Sequence, residues 1–182
     1  MRVMVLVSEI FTDGPKNYST ALQKEVYHAL AKLKLDFQRV ATDEVITMED
    51  CQQINERLSM DMVKTLFLCN RQKTAFYLFV TSGTKLFKAK DFSQALQVAR
   101  VSFASADQME TMLGTQIGAA TIFSTLIAES KEVQLVLDQE VVENEWYGCS
   151  DGTTTGYLKL RTTDVLEKFL PFVQRQPKII TI

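Results

Sequence analysis

The sequence predicts a mixed α/β (α+β) fold in a single domain, and three observations lead there. Apolar residues recur at helical spacing in several segments, and short runs rich in β-branched and aromatic residues lie between them. The two kinds of segment alternate irregularly along the chain, with no internal repeat, low-complexity tract or linker. That pattern implies a mixed, curved β-sheet flanked by helices. The length agrees, because 182 residues fit one domain and such a chain buries roughly 70% of its unfolded surface.

Residues 3–7 read as a short strand, and Thr12-Asp13-Gly14-Pro15 as a turn. Over 19–35, Leu22, Val26, Leu30 and Leu33 recur at helical spacing, with Ser19 or Thr20 as N-cap. His28 lies off that stripe and reads as an exposed helix residue. A strand is expected over 37–41. Thr47 then caps a second helix that buries Met48, Cys51, Ile54 and Leu58, and its spacing to Asp50 resembles a capping box.

The most apolar stretch follows, two strands at 63–69 and 74–81 joined by the polar turn Asn70-Arg71-Gln72-Lys73. This is a hairpin signal. A basic segment covers 85–90, a short helix with Leu96 inward covers 92–98, and 101–104 is apolar. Ser105-Ala106-Asp107-Gln108 is a capping box that opens a helix ending at Gly114. Gly114-Thr115-Gln116-Ile117-Gly118 is a glycine-bracketed loop. Strands are expected at 119–123, 133–138 and 157–161. The last helix starts near Thr163-Asp164, carries Val165, Leu166 and Phe169, and breaks at Pro171.

Composition narrows the function. No apolar run reaches the ~18 residues of a membrane span, and the N-terminal run lacks the length and cleavage site of a signal peptide, so a cytoplasmic protein is expected. Cys51, Cys69 and Cys149 are an odd set without CxxC spacing and read as buried reduced thiols. With His28 the sole histidine, a His-rich metal site is excluded and a Ser/His/Asp set would have to be built around it. A net charge of −2 argues against a surface that grips nucleic acid everywhere. Yet Lys64, Arg71, Lys73, Lys85, Lys88, Lys90 and Arg100 face only one acid, Asp91, in that stretch. Such a run is either a solvated face or a local phosphate footprint.

Lys64 interrupts the first hairpin strand. By its residue type it either points to solvent on an alternating strand or sits in a pocket. Here four segments align with one family: VKTLFLCNRQKTAFYLFV, ARVSFASADQMETMLG, the GTQIG loop, and YGCSDGTTTGYLKLRTTDVLEKFL. They resemble the YbaK/ProX aminoacyl-tRNA deacylases, in the branch related to the editing domain of prolyl-tRNA synthetase. The likeness runs from about Ser19 to Phe172, so 1–18 is expected as an extension and 19–182 as the editing domain.

The resemblance implies hydrolysis of a misacylated tRNA, alanyl-tRNA(Pro) or another small amino acid first. It implies misacylated tRNA and prolyl-tRNA synthetase as partners, with no cofactor, metal or membrane. Lys64 matches the family's active lysine, and Gly114 and Gly118 bracket its substrate loop. Arg100, Ser102, Thr115, Ser150, Asp151 and Thr154 fall on substrate-binding segments, and Arg71, Lys73, Lys85 and Lys88 are placed for tRNA. Main-chain N–H groups at glycines can approach an ester carbonyl, and an ammonium adds charge.

The chain also departs from its relatives. Ser150 and Thr154 stand where they carry histidine and asparagine, Ile117 where proline is common, and Thr42 where many have histidine. Asp151, one residue beyond the replaced histidine, is therefore expected to accept the substrate ammonium. The alternatives are a relaxed loop and, for the whole chain, an adaptor that binds aminoacyl-tRNA or a synthetase without turnover.

Overall fold

A computed structural model describes residues 5–45 and 49–182. The expectations for Val3, Thr47 and Met48 lie outside the described residues. Helix α1 (Ala21–Lys32) is capped by Thr20, whose hydroxyl accepts the Gln23 N–H, and buries Leu22, Val26 and Leu30. Strand β1 (Gln38–Ala41) and helix α2 (Gln52–Leu58) follow. The expected hairpin forms as β2 (Val63–Asn70) and β3 (Phe76–Ser82), antiparallel with Lys64 opposite Thr81. Next come α3 (Ala89–Leu96), β4 (Val101–Phe103) and α4 (Ala106–Leu113). The Ser105–Gln108 capping box opens α4, and Gly114 closes it at φ 67°, where a side chain would be strained.

Beyond the loop, Ile122–Leu126 is a 3-10 turn, and not the strand expected over 119–123. The Thr121 hydroxyl caps it by accepting from the Phe123 N–H, and the Thr125 hydroxyl donates to the Ile122 carbonyl. These local bonds compete with a ladder. Strand β5 (Val133–Asp138) and helix α5 (Gln139–Glu143) lead to β6 (Trp146–Ser150) and β7 (Gly156–Arg161). The C-terminal helix passes from α6 (Thr162–Asp164) through a π-helical turn, Val165–Phe169, into α7 (Leu170–Phe172). Pro171 therefore does not break it. The wider turn lies just ahead of the ring, which has no N–H to give and crowds the preceding turn. β8 (Lys178–Ile180) completes the chain.

The strands form two sheets where the sequence suggested one. β1-β7-β6 is antiparallel, and β4-β2-β3-β5-β8 is mixed: β2 runs antiparallel to both β4 and β3, and the β3–β5 and β5–β8 pairs are parallel. One face of the larger sheet (Val63, Phe67, Leu78, Val80, Leu135, Leu137) packs with α1 and the C-terminal helix in the main core. Its other face (Leu68, Tyr77, Phe79, Val136) is covered by Phe92 and Leu96 of α3. The smaller sheet adds Tyr147, Cys149, Leu158 and Leu160 to the same main core, and a parallel bridge, Met62 to Gly148, links the two sheets.

Candidate active site

That bridge closes one end of a gap along β2. Ala104 N–H donates to the Phe67 carbonyl (2.9 Å), so alternate main-chain groups of β2 turn towards β4. Thr65, two residues earlier, turns its N–H and C=O to the same side, where β4 has ended. Among the described residues no strand pairs with β2 there. A cavity of about 470 Å³ occupies the gap. Val63, Phe67, Met109 and Cys149 give it apolar walls. Lys64, Thr65, Gly118 and Ser150 add polar groups, and Phe103 and Ile117 stand at its mouth.

Lys64 shares a face of the sheet with Leu66, Leu68 and Thr81. Its ammonium is half-buried and donates to the Lys85 carbonyl at 2.7 Å. An ammonium has three donors, so two remain beyond that bond. Behind it lies a clamp. Lys85 Nζ bonds Asp138 Oδ2 (2.7 Å), Glu140 Oε2 (2.9 Å) and the Ile182 carbonyl (2.8 Å), while Thr81 Oγ1 also donates to Asp138 (2.7 Å). Burial would lower the Lys85 pKa, but the bonds to Asp138 and Glu140 outweigh it and raise it. The clamp holds the residue whose carbonyl receives Lys64.

The other expected site residues are spread more widely. Gly118 lines the cavity, whereas Gly114 is the α4 cap and sits against Ile127 and Leu22. Thr115 is buried without a partner for its hydroxyl and does not line the cavity. Ser150 lines it, but its hydroxyl donates to the Thr153 carbonyl (2.6 Å) and accepts the Gly152 N–H (3.0 Å). Ser102 is exposed on β4. Arg100 and Lys88 lie outside the cavity, in a separate groove with Lys90 along α3. Arg71 and Lys73 are exposed in the hairpin turn. Lys85 is occupied by its carboxylates and not presented to a ligand.

Asp151 and Thr154 do not face the cavity either. Asp151 is 1% exposed, and its carboxylate accepts from Gln23 Nε2 (2.9 Å), Tyr27 Oη (2.7 Å), Thr153 Oγ1 (2.7 Å) and Thr153 N (3.2 Å). It pins the β6–β7 turn to α1. Burial first, then Asp151, pushes the Tyr27 hydroxyl far above its usual range, so it stays a donor. The Thr154 carbonyl accepts from Val45 N (2.8 Å) and Tyr157 Oη (3.2 Å), tying the same turn to the segment after β1 and to β7. His28 is exposed on α1, edge-on to Tyr18. All three cysteines are buried, and none forms a disulfide. Among the described residues no cluster of His, Cys, Asp or Glu is arranged to hold a metal, and no helix is long and apolar enough to cross a membrane.

Sequence reasoning missed Thr65, Phe103 and Cys149 as cavity residues. Their types are those of ordinary strand residues. Only the early end of β4 brings them to an opening.

The profile of one family, the aminoacyl-tRNA editing domain, matches residues 42–168. The chain belongs to that family. The matched region takes in β2 to β7 and every cavity-lining residue, and leaves out α1, β1 and β8. Among individual relatives, the prolyl-tRNA editing protein ProX of Acetoanaerobium sticklandii is 28% identical over 120 residues, covering 66% of this chain and 73% of that protein. Two crystal structures share the fold of this editing domain. One is a hypothetical protein, APE2540 (TM-score 0.64, 14% identity, 87% of this chain and 98% of the other). The second is described as a candidate trans-editing enzyme for prolyl tRNA synthetase (TM-score 0.64, 14% identity, 91% and 99%). The chain is thus an editing domain of the ProX/YbaK type, a family that supports a deacylase role.

Proposed function

We propose that the protein hydrolyses the ester of a misacylated tRNA, with alanyl-tRNA(Pro) or another small aminoacyl-tRNA as substrate. One observation carries this reading. In a chain of the editing family, Lys64 and Gly118 line one cavity at an uncovered strand edge.

Water adds to the ester carbonyl, the acyl–oxygen bond breaks, and free amino acid and a tRNA with its terminal hydroxyl restored are released. The Lys64 ammonium, steadied by the Lys85 carbonyl, supplies positive charge beside the ribose ester. The main-chain N–H groups of Thr65 and Gly118 are the donors available to a developing oxyanion. Among the described residues the cavity lining holds no histidine or carboxylate, so the neighbouring ribose hydroxyl of the substrate orients the water and relays its proton, taking it up while passing its own to the departing ribose oxygen. Val63, Phe67, Met109 and Cys149 offer the side chain of the amino acid an apolar recess, which suits a second sieve for small residues.

Arg71, Lys73 and Lys88, all exposed, are the cations this reading assigns to the tRNA backbone. Prolyl-tRNA synthetase is the partner to test, given the description of the second crystal structure as a candidate trans-editing enzyme for it. Deacylation of a panel of mischarged tRNAs carrying alanine, serine or threonine decides the matter. Turnover of at least one supports the hydrolase. Retained tRNA binding with no turnover would make the protein an adaptor.

A further inference from the structure

Phe103 and Ile117 are each 62% exposed, and both stand at the mouth of the Lys64 cavity. Single exposed apolar side chains are ordinary. Two large ones framing the opening of a cavity are the pattern of a binding surface.

The register fixes where the ring lies. Phe103 is opposite Leu68, in the pair whose main-chain groups turn away from each other, so its side chain shares a sheet face with Leu66 and Lys64. Lys64 is four residues from Leu68 on β2, ~13 Å at the usual strand rise. A nucleoside and the reach of a lysine side chain fill that interval between them. The Phe103 ring is also braced, because Phe87 meets it at 60° with centroids 5.7 Å apart. An edge-on contact occupies at most one face of the ring, and Phe103 remains 62% exposed beside it.

We propose that Phe103, flanked by Ile117, is a stacking platform for the terminal adenine base of the aminoacyl-tRNA, setting the ester against Lys64 and the Thr65 edge. This rests on the deacylase reading above, and it names the part of the substrate that the apolar rim receives. An aminoacylated tRNA ends in an unpaired adenosine whose base must lie outside a recess sized for the amino acid. A flat aromatic beside the opening is what such a base stacks on. It also gives a use to an exposed aromatic on a three-residue strand, where a polar residue would be better solvated.

The test uses two non-hydrolysable probes titrated calorimetrically into the full chain. One is 3′-alanylamino-3′-deoxyadenosine, and the other is the same alanyl amide on a ribose lacking the base. The adenosine probe is expected to bind at least about tenfold more tightly, the usual contribution of one stacked base. Phe103→Ala and Phe103→Leu should erase that difference, and Phe103→Trp should keep it. The leucine variant keeps the packing against Phe87 while removing the aromatic face. Equal binding of the two probes, no binding of either, or an unchanged preference in Phe103→Leu would overturn the platform. Deacylation assays separate this from the reading of function. Turnover unimpaired by Phe103→Ala would sink the platform and leave the hydrolase. Base-dependent binding without turnover of any mischarged tRNA would sink the hydrolase and leave the platform.

Discussion

Replacing Asp151 tests whether the most buried carboxylate of the β6–β7 turn serves the fold or the substrate. Truncation to alanine strands two donors from α1, Gln23 Nε2 and Tyr27 Oη, in a site where Asp151 is 1% exposed. The Gln23 amide cannot simply turn over, because its Oε1 already accepts from Ser19 N (2.7 Å). Each stranded buried donor costs about 1–3 kcal/mol. Thr153, beside Asp151 in the turn, can find other local acceptors, so we count only the two from α1. The sum is about 4 kcal/mol, and at ~2–4 °C per kcal/mol for a chain of this length Tm should fall by roughly 8–16 °C. Asp151→Asn keeps one acceptor oxygen but turns an amide N–H₂ towards a donor. It should cost about half as much. Thermal unfolding followed by circular dichroism reads both variants, with deacylation measured well below the new Tm. A Tm within a degree of wild type, or a collapse of kcat/KM at unchanged Tm, would refute the structural role and return Asp151 to the substrate.

Two glycines beside this turn should behave differently. A Cβ at Gly156 would overlap the Asp151 carboxylate, so Gly156→Ala should lower Tm at least as far as Asp151→Ala. Gly148→Ala, whose Cβ meets mainly the flexible tip of Met60 (Sδ at 2.6 Å), should be milder in the same melt. Lys85 is held by Asp138 and Glu140, so Lys85→Met should leave the salt slope of tRNA binding unchanged while slowing deacylation through Lys64. Lys88→Met, by contrast, should lower that slope by about one. Burial, then Asp50, pushes the Cys51 thiol up to about 11 from 9.0, and burial raises Cys149 further. The folded state therefore holds these protons more tightly than the unfolded chain. Stability should be intact below pH 9 and fall as pH rises towards 11, and neither thiol should alkylate in the native protein at pH 8.

Much of the fold was legible because its signals are local. The capping box at Ser105–Gln108, the Gly114 stop, the Leu22–Val26–Leu30 stripe and the polar hairpin turn each specify their own element. β6 was hidden because Trp146–Ser150 mixes Gly148, Cys149 and Ser150, and its strand character comes from pairing with β7. The split into two sheets was likewise invisible, since it depends on β1 pairing with β7 across more than a hundred residues. At the site, Lys64, Gly118 and Ser150 were found in sequence and line the cavity. Asp151 was singled out for its place in a motif, but burial and four donors decide where its charge goes. Neither can be read from spacing. The open edge at Thr65 exists only because β4 stops at Phe103, a fact of length that no residue type announces.

The most direct test of the account is single-turnover deacylation of alanyl-tRNA(Pro) by wild type and by Lys64→Ala. Loss of the ammonium should slow the chemical step by about 100-fold, the scale of one preorganised donor at a developing oxyanion, with tRNA binding nearly unchanged. A Lys64→Ala variant as fast as wild type would contradict it.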